Sequence, residues 1–181
     1  MYIKDLPLIL LFIFLSQIVT AQAGWEKYVS DMDASFSIEA PSKLISKFSN
    51  AETSLGEFPT MIYALEGNSD DLNKLYQINQ IDYPEGSFPT DSTDLMKFYL
   101  SSAIDNTMYS LEGSLVYSND LSHLGDAAKL FRISYNDGKA IVKGKCLIYR
   151  DTYYMLTVYS HKDDSLNSDM DYFLNSFELL D

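Results

Sequence analysis

What this chain lacks narrows its chemistry before any pattern is sought. A single cysteine permits no internal disulfide. With only two histidines beside it, and no metal-ligand spacing, a zinc cluster has no donors. Glycine is sparse at eight residues and forms no phosphate-cradling loop, and no G-x-S-x-G nucleophile elbow occurs. Basic residues are few, 13 against 26 acidic, for a formal net charge of −13. That balance argues against nucleic acid or anionic lipid as a partner and leaves basic partners, divalent cations or plain solubility. No repeat, low-complexity tract or interdomain linker breaks the chain.

The longest apolar run, Leu6 to Leu15, is shorter than the roughly 20 residues of a membrane helix. It follows Lys4 and is closed by Thr20-Ala21-Gln22-Ala23. A short charged region, an apolar core and a small-residue A-x-A site make Met1–Ala23 a secretory signal peptide, cut after Ala21 or Ala23. The expectation is export to the periplasm or the extracellular space, with no integral membrane segment after cleavage. Residues 24–181 then have the length of one ordinary domain, long enough to bury a core without staples.

Strand patterns come first. Trp25–Ser30, Ser35–Pro41, Lys43–Phe48, Pro59–Leu65 and Leu75–Tyr83 read as strands, punctuated by Gly56, Gly67 and the turn Tyr83-Pro-Glu-Gly86. The period then changes. Leu95/Met96, Tyr99/Leu100, Ala103/Ile104 and Thr107/Met108 recur every four residues, the stripe of a helix that Asp91 or Ser92 caps. Ser114–Tyr117, Ala127–Tyr135, Ala140–Tyr149 and Tyr154–Ser160 are strands again, the middle pair joined at Asn136-Asp-Gly-Lys139. Leu166, Met170, Phe173, Leu174 and Phe177 predict a C-terminal amphipathic helix capped within Asp163–Ser165. Both helices need a sheet to cover their apolar stripes. The expected class is α+β: an antiparallel sheet with a central and a C-terminal helix packed on it.

Three of these stretches carry a resemblance. Trp25, Tyr28 and Phe36-Ser-Ile-Glu-Ala-Pro41, the strand Tyr154-Met-Leu-Thr-Val158 and the closing Phe173-Leu-Asn-Ser-Phe177 resemble the PsbP/Mog1-like fold, an α/β/α sandwich found in small exported bacterial envelope proteins. The resemblance spans nearly all of residues 24–181, and its pieces are core signatures. It implies an accessory role, as in the fold's members that serve photosystems or small GTPases, and places no binding residue here.

Cys146 and His161 invite a test as nucleophile and base. With Asp137-Gly138 as the turn, Tyr135 faces Ala140, Phe131 faces Gly144 and Cys146 faces Lys129. A two-residue turn at Asp151-Thr152 sets Cys146 against Thr157 and His161 against Val142, roughly 13 Å apart along the strand. One more turn residue sends His161 to the opposite face. Neither register allows proton transfer, and His123 lies roughly 20 Å from Cys146. Cys146 is expected to be a small buried hydrophobe. No catalytic residue, metal ligand or cofactor is therefore assigned.

Two surpluses remain. Oxygen ligands cluster at Asp31/Asp33, Asp70/Asp71, Asp91/Asp94, Asn119/Asp120, Asp163/Asp164 and Asp169/Asp171, mostly at turns and helix starts, with no D-x-D-x-D-G loop. The fourteen tyrosines are the more distinctive. Tyr149, Tyr153 and Tyr159 in the last hairpin, with Tyr83 and Phe88 by the central loop, are the candidate binding residues, Tyr153 being the one expected at the surface. The resulting expectation is a secreted or periplasmic, non-enzymatic binding or accessory module whose partner is another envelope or extracellular protein. The alternatives are a carboxylate-dependent hydrolase acting on a glycan and a calcium-stabilised structural module.

Overall fold

The computed structural model describes residues 24–30, 36–53, 55–89, 91–122 and 124–180. The signal-peptide expectation at Met1–Ala23, the acid pair Asp31/Asp33 and His123 lie outside them. In chain order the elements are β1 (Glu26–Val29), β2 (Phe36–Ala40), β3 (Ile45–Thr53), β4 (Gly56–Glu66), β5 (Asn73–Asp82), α1 (Thr93–Ser110), β6 (Ser114–Leu121), β7 (Ala127–Tyr135), β8 (Ala140–Tyr149), β9 (Thr152–His161), α2 (Ser168–Asn175) and β10 (Glu178–Leu179).

Seven strands form one antiparallel sheet in the order β3-β4-β5-β9-β8-β7-β6, and β1-β2-β10 form a smaller one. The two meanders, β3–β5 and β6–β9, are consecutive hairpins, and the β5–β9 pairing joins them. Helix α1 bridges the meanders and covers one face. Its Met96, Leu100 and Ile104 pack with Phe131, Ile133, Val142, Cys146 and Ile148. The other face carries Tyr76, Ile78, Leu147, Tyr154, Leu156 and Val158, covered by Phe36 and Ile38 of β2 and by Met170 and Phe173 of α2. The α+β sandwich follows from this arrangement: both faces of the large sheet are apolar, and each has its own cover.

Local chemistry sets the joints. Asn136, Asp137 and Gly138 take positive φ, and Gly138 N–H donates to Tyr135 at 3.1 Å, so the turn has the expected hairpin handedness. Tyr135 pairs with Ala140, Phe131 with Gly144 and Lys129 with Cys146, as the sequence predicts. The next hairpin differs from both predicted registers. Arg150, at φ 55°, and Asp151 are its turn residues, so Tyr149 pairs with Thr152 and Cys146 with Met155. His161 consequently pairs with Ala140, six residues and roughly 20 Å from Cys146 along β8. The pair is further apart than either predicted register allowed.

The helices start where the pattern placed them only in part. Ser92 is the N-cap residue of α1 but makes no side-chain capping bond, and Leu95 points to solvent while Met96, Tyr99, Leu100 and Ile104 are buried. α2 begins later than expected. Asn167, not Asp163–Ser165, is its cap and accepts from Met170 N–H at 2.9 Å. Arg132 holds Ser165 in the preceding turn through its hydroxyl and carbonyl, and Leu166 is left 91% exposed. At the far end of α2, Lys145 caps the carbonyl of Leu174 at 2.8 Å, a cation at the negative end of the helix dipole.

Two outcomes check the packing. A Cβ on Gly144 would meet Phe131 Cζ at 2.5 Å and Leu156 O at 2.6 Å, so Gly144→Ala should cost about 1–3 kcal/mol and lower the melting temperature by about 3–9 °C. A melt unchanged by Gly144→Ala would show that β8 and Phe131 are not packed this closely. Cys146 is fully buried, and burial pushes its thiol up to about 12. Disulfide exchange with a chromogenic reagent at pH 8 should run at least about a hundredfold slower on the folded chain than in denaturant, because the thiolate is what reacts. Equal rates would place the thiol at the surface.

Candidate functional site

The tyrosine-rich corner is core. Tyr83, Phe88 and Tyr153 do converge, but at 6%, 4% and 5% exposure they lie beneath α1 with Tyr99. Ring centroids run 5.2 Å from Tyr83 to Phe88, 5.1 Å from Phe88 to Tyr99 and 5.6 Å from Tyr99 to Tyr153, mostly edge to face. The hydroxyls of Tyr83 and Tyr99 are hydrogen-bonded to each other. Tyr153 was expected at the surface and is buried, because the turn falls on Arg150-Asp151 and makes it the second residue of β9, facing α1. Burial raises its hydroxyl well above the ordinary tyrosine value. Asp151 then holds the loop over the cluster, accepting from Gly86 N–H at 2.9 Å and Phe88 N–H at 3.0 Å.

The other two candidates do not join them. Tyr149, half-buried on the opposite face, has the Arg150 guanidinium 5.0 Å from its ring centre. Tyr159, also half-buried, meets Tyr135 at 6.3 Å. The five residues thus form no common surface. Beside the cluster, Ala51 and Thr53 of β3 and Ser102, Asn106 and Thr107 of α1 line a cleft of about 220 Å³, with Tyr99, Tyr153 and Met155 in its wall. Tyr99 was not among the candidates, although its place in the α1 stripe pointed it at the sheet.

A larger cavity, of about 530 Å³, opens at the other end of the sheet, on the α2 face. It is lined by Glu66, Asp70, Asp71 and Asp169 and by the apolar surfaces of Pro41, Leu65, Leu72 and Tyr76. Its walls are built by a few specific contacts. β4 ends at Glu66 and the chain reverses at Gly67, where any Cβ would collide with the carbonyl of Asn73. Asp71 closes the loop by accepting from the backbone N–H of Asn68 at 2.6 Å and from its side-chain amide at 3.1 Å. Lys74 donates to the carbonyls of Ser69 (2.8 Å) and Asp71, so its charge is spent on the loop backbone. Asn73 and Asn167 exchange amide hydrogen bonds at 3.0 and 2.9 Å, which fastens the loop to the cap of α2. Asn73 also donates to the Tyr76 hydroxyl at 2.8 Å. Tyr76 packs edge-on to Trp25 and Phe173, and burial pushes its hydroxyl up to about 12.

Chemically, this cavity suits a cation on an apolar stem. Acidic residues line it from three segments, and its neutral wall suits methylenes or a ring. Sequence reading flagged Asp70/Asp71 and Asp169/Asp171 as separate turn acids; the Asn73–Asn167 bond, invisible in sequence, brings Asp70, Asp71 and Asp169 to one cavity.

Other chemistries find less. Among the described residues no group of three or more His, Cys, Asp or Glu side chains converges to hold a metal ion. Asp120 is held below the usual carboxylate range by Lys129 and Lys97, the opposite of what a general acid needs. Among the described residues no helix is long and apolar enough to cross a membrane.

Comparison with known proteins gives the fold. No family model and no curated protein matches the sequence. Among solved structures the chain is similar to the solution structure of cyanobacterial PsbP (CyanoP) from Synechocystis sp. PCC 6803, with a TM-score of 0.55 and 13% identity. The likeness covers 90% of this chain and 95% of that one. At that identity it speaks to architecture alone: the chain has a PsbP-like fold.

Proposed function

We propose that this chain is an exported, non-enzymatic accessory module that binds a basic segment of another envelope or extracellular protein in its carboxylate-lined cavity. The observation that carries the reading is the cavity itself, where Glu66, Asp70, Asp71 and Asp169 flank an apolar wall and the adjacent Lys74 is engaged by loop carbonyls. The net charge of −13 extends the same preference over long range by steering cationic partners toward the surface. Export rests on the Met1–Ala23 pattern, and the accessory role on what the fold resemblance implies. The distance between Cys146 and His161 favours binding over catalysis.

Trp25, the only tryptophan, stands against Tyr76 at 6.2 Å and reports on the cavity wall. Titration with the short peptide Lys-Leu-Lys-Leu-Lys should change its fluorescence, and the same peptide with glutamates in place of lysines should not. Glu66→Gln/Asp70→Asn/Asp169→Asn should weaken the basic peptide by about 3–100-fold, at roughly 0.2–1 kcal/mol per exposed or half-exposed charge. Asp71 is left in place because it closes the loop. Equal responses to both peptides, or an affinity that the triple variant leaves unchanged while its melt stays native, would contradict the assignment.

A further inference from the structure

The large sheet has two outer strands, β3 and β6, and they are guarded differently. On β6 the register slips between Leu115 and Tyr117, a bulge that bends the strand, and Lys97 of α1 reaches across to Asp120 at 3.0 Å. Bulges and charged bridges of this kind blunt an edge against added strands. β3 has neither device. Its nine residues pair with β4 without a break from Ile45↔Ala64 to Thr53↔Gly56, it contains no proline, and no described strand lies on its outer side. Ile45 is 73% and Phe48 65% exposed, one on each face of the sheet. Such an edge presents a row of N–H and C=O groups with an apolar side chain above and below, the features a peptide uses when it joins a sheet.

β3 also starts beside the cavity. Pro41 and Ser42 line it, and the three steps from Ser42 to Ile45 span at most about 10 Å. All pairings of the large sheet are antiparallel, so a strand added in the same sense runs toward Ile45 and delivers its C-terminal end to the carboxylates. Lys47, the third residue of β3, disfavours a cation directly opposite it, so the partner's basic residues belong past the Ile45 end of the edge.

We propose that β3 is a docking edge: an extended segment of the partner protein adds antiparallel to β3, and the basic side chains that follow it enter the cavity lined by Glu66, Asp70 and Asp169. The inference rests on the reading of that cavity as a site for cations, and it adds the form the partner must take. Main-chain hydrogen bonds carry most of the affinity in such complexes, so a generic strand suffices as a probe.

The test uses a fluorescently labelled peptide of three Thr-Val repeats, one glycine and three lysines, followed by anisotropy. Two further peptides carry N-methyl groups on alternate amides, each blocking one edge of the strand, and a fourth has glutamines for lysines. The parent peptide should bind and slow amide hydrogen exchange along β3 but not β6. One N-methylated form should lose at least about tenfold in affinity, equivalent to one or two hydrogen bonds, while the other retains it. The glutamine form should also weaken by at least about tenfold. Equal behaviour of the two N-methylated forms, protection on β6 in place of β3, or no binding of the parent peptide would overturn docking at β3. If only the glutamine form binds like its parent, the cavity reading fails and the edge stands.

Discussion

The structure depends on β9 being apolar on both sides. From Thr152 to Val158 every residue is buried, with Tyr153 and Met155 packed beneath α1 and Tyr154, Leu156 and Val158 facing the α2 side. A strand of this kind must have a neighbour along each edge and a cover on each face. β8 arrives by a tight turn, whereas β5 comes from the first half of the chain. Their pairing unites two meanders into one seven-stranded sheet and leaves the connection between them to run over one face as α1. Burying each of its large side chains contributes on the order of 1.5–3 kcal/mol, which is ample reason for the chain to accept so non-local a pairing.

The cavity is a by-product of that union. Asn73 opens β5 beside Ser160 of β9, with a slip in register before Leu75. The slip sets Asn73 toward α2, where its amide meets Asn167, and the same Asn167 caps the helix. A single pair of side chains therefore joins the sheet, the loop after β4 and the helix that carries Asp169. The acidic residues line one cavity because the backbone around them is fixed, and Asp71 and Lys74 are consumed in fixing it. Asp71 thus helps to build the loop, while Glu66, Asp70 and Asp169 line the cavity without an ion-pair partner among the described residues.

Periodicity made most of the fold legible. Alternation found the strands, a four-residue beat found α1, and Asp-Gly fixed the β7–β8 register down to Phe131 over Gly144. Errors fell where local sequence is ambiguous. Asp151-Thr152 reads as the centre of the β8–β9 turn, yet the buried side chains of the two strands impose a register one residue earlier, with Arg150 at positive φ. The predicted strand Lys43–Phe48 stops short because Ser49-Asn-Ala-Glu-Thr53 is mostly polar, yet β3 runs on to Thr53, and β10 is two residues long. The site was less legible than the fold. Aromatic residues stand out by composition, but their abundance here serves packing on both faces. Acids scattered at turns look ordinary until tertiary contacts gather them.

The most direct measurement is the two-dimensional amide NMR spectrum of the isotope-labelled chain, residues 24–181, with and without a lysine-rich peptide. The account predicts shifts confined to the loop at Gly67–Asn73, to the start of α2 around Asp169, and to the beginning of β3 next to Ile45. Shifts on the outer face of α1 at Leu95, Phe98 and Tyr109, or an unperturbed cavity under a bound peptide, would contradict it.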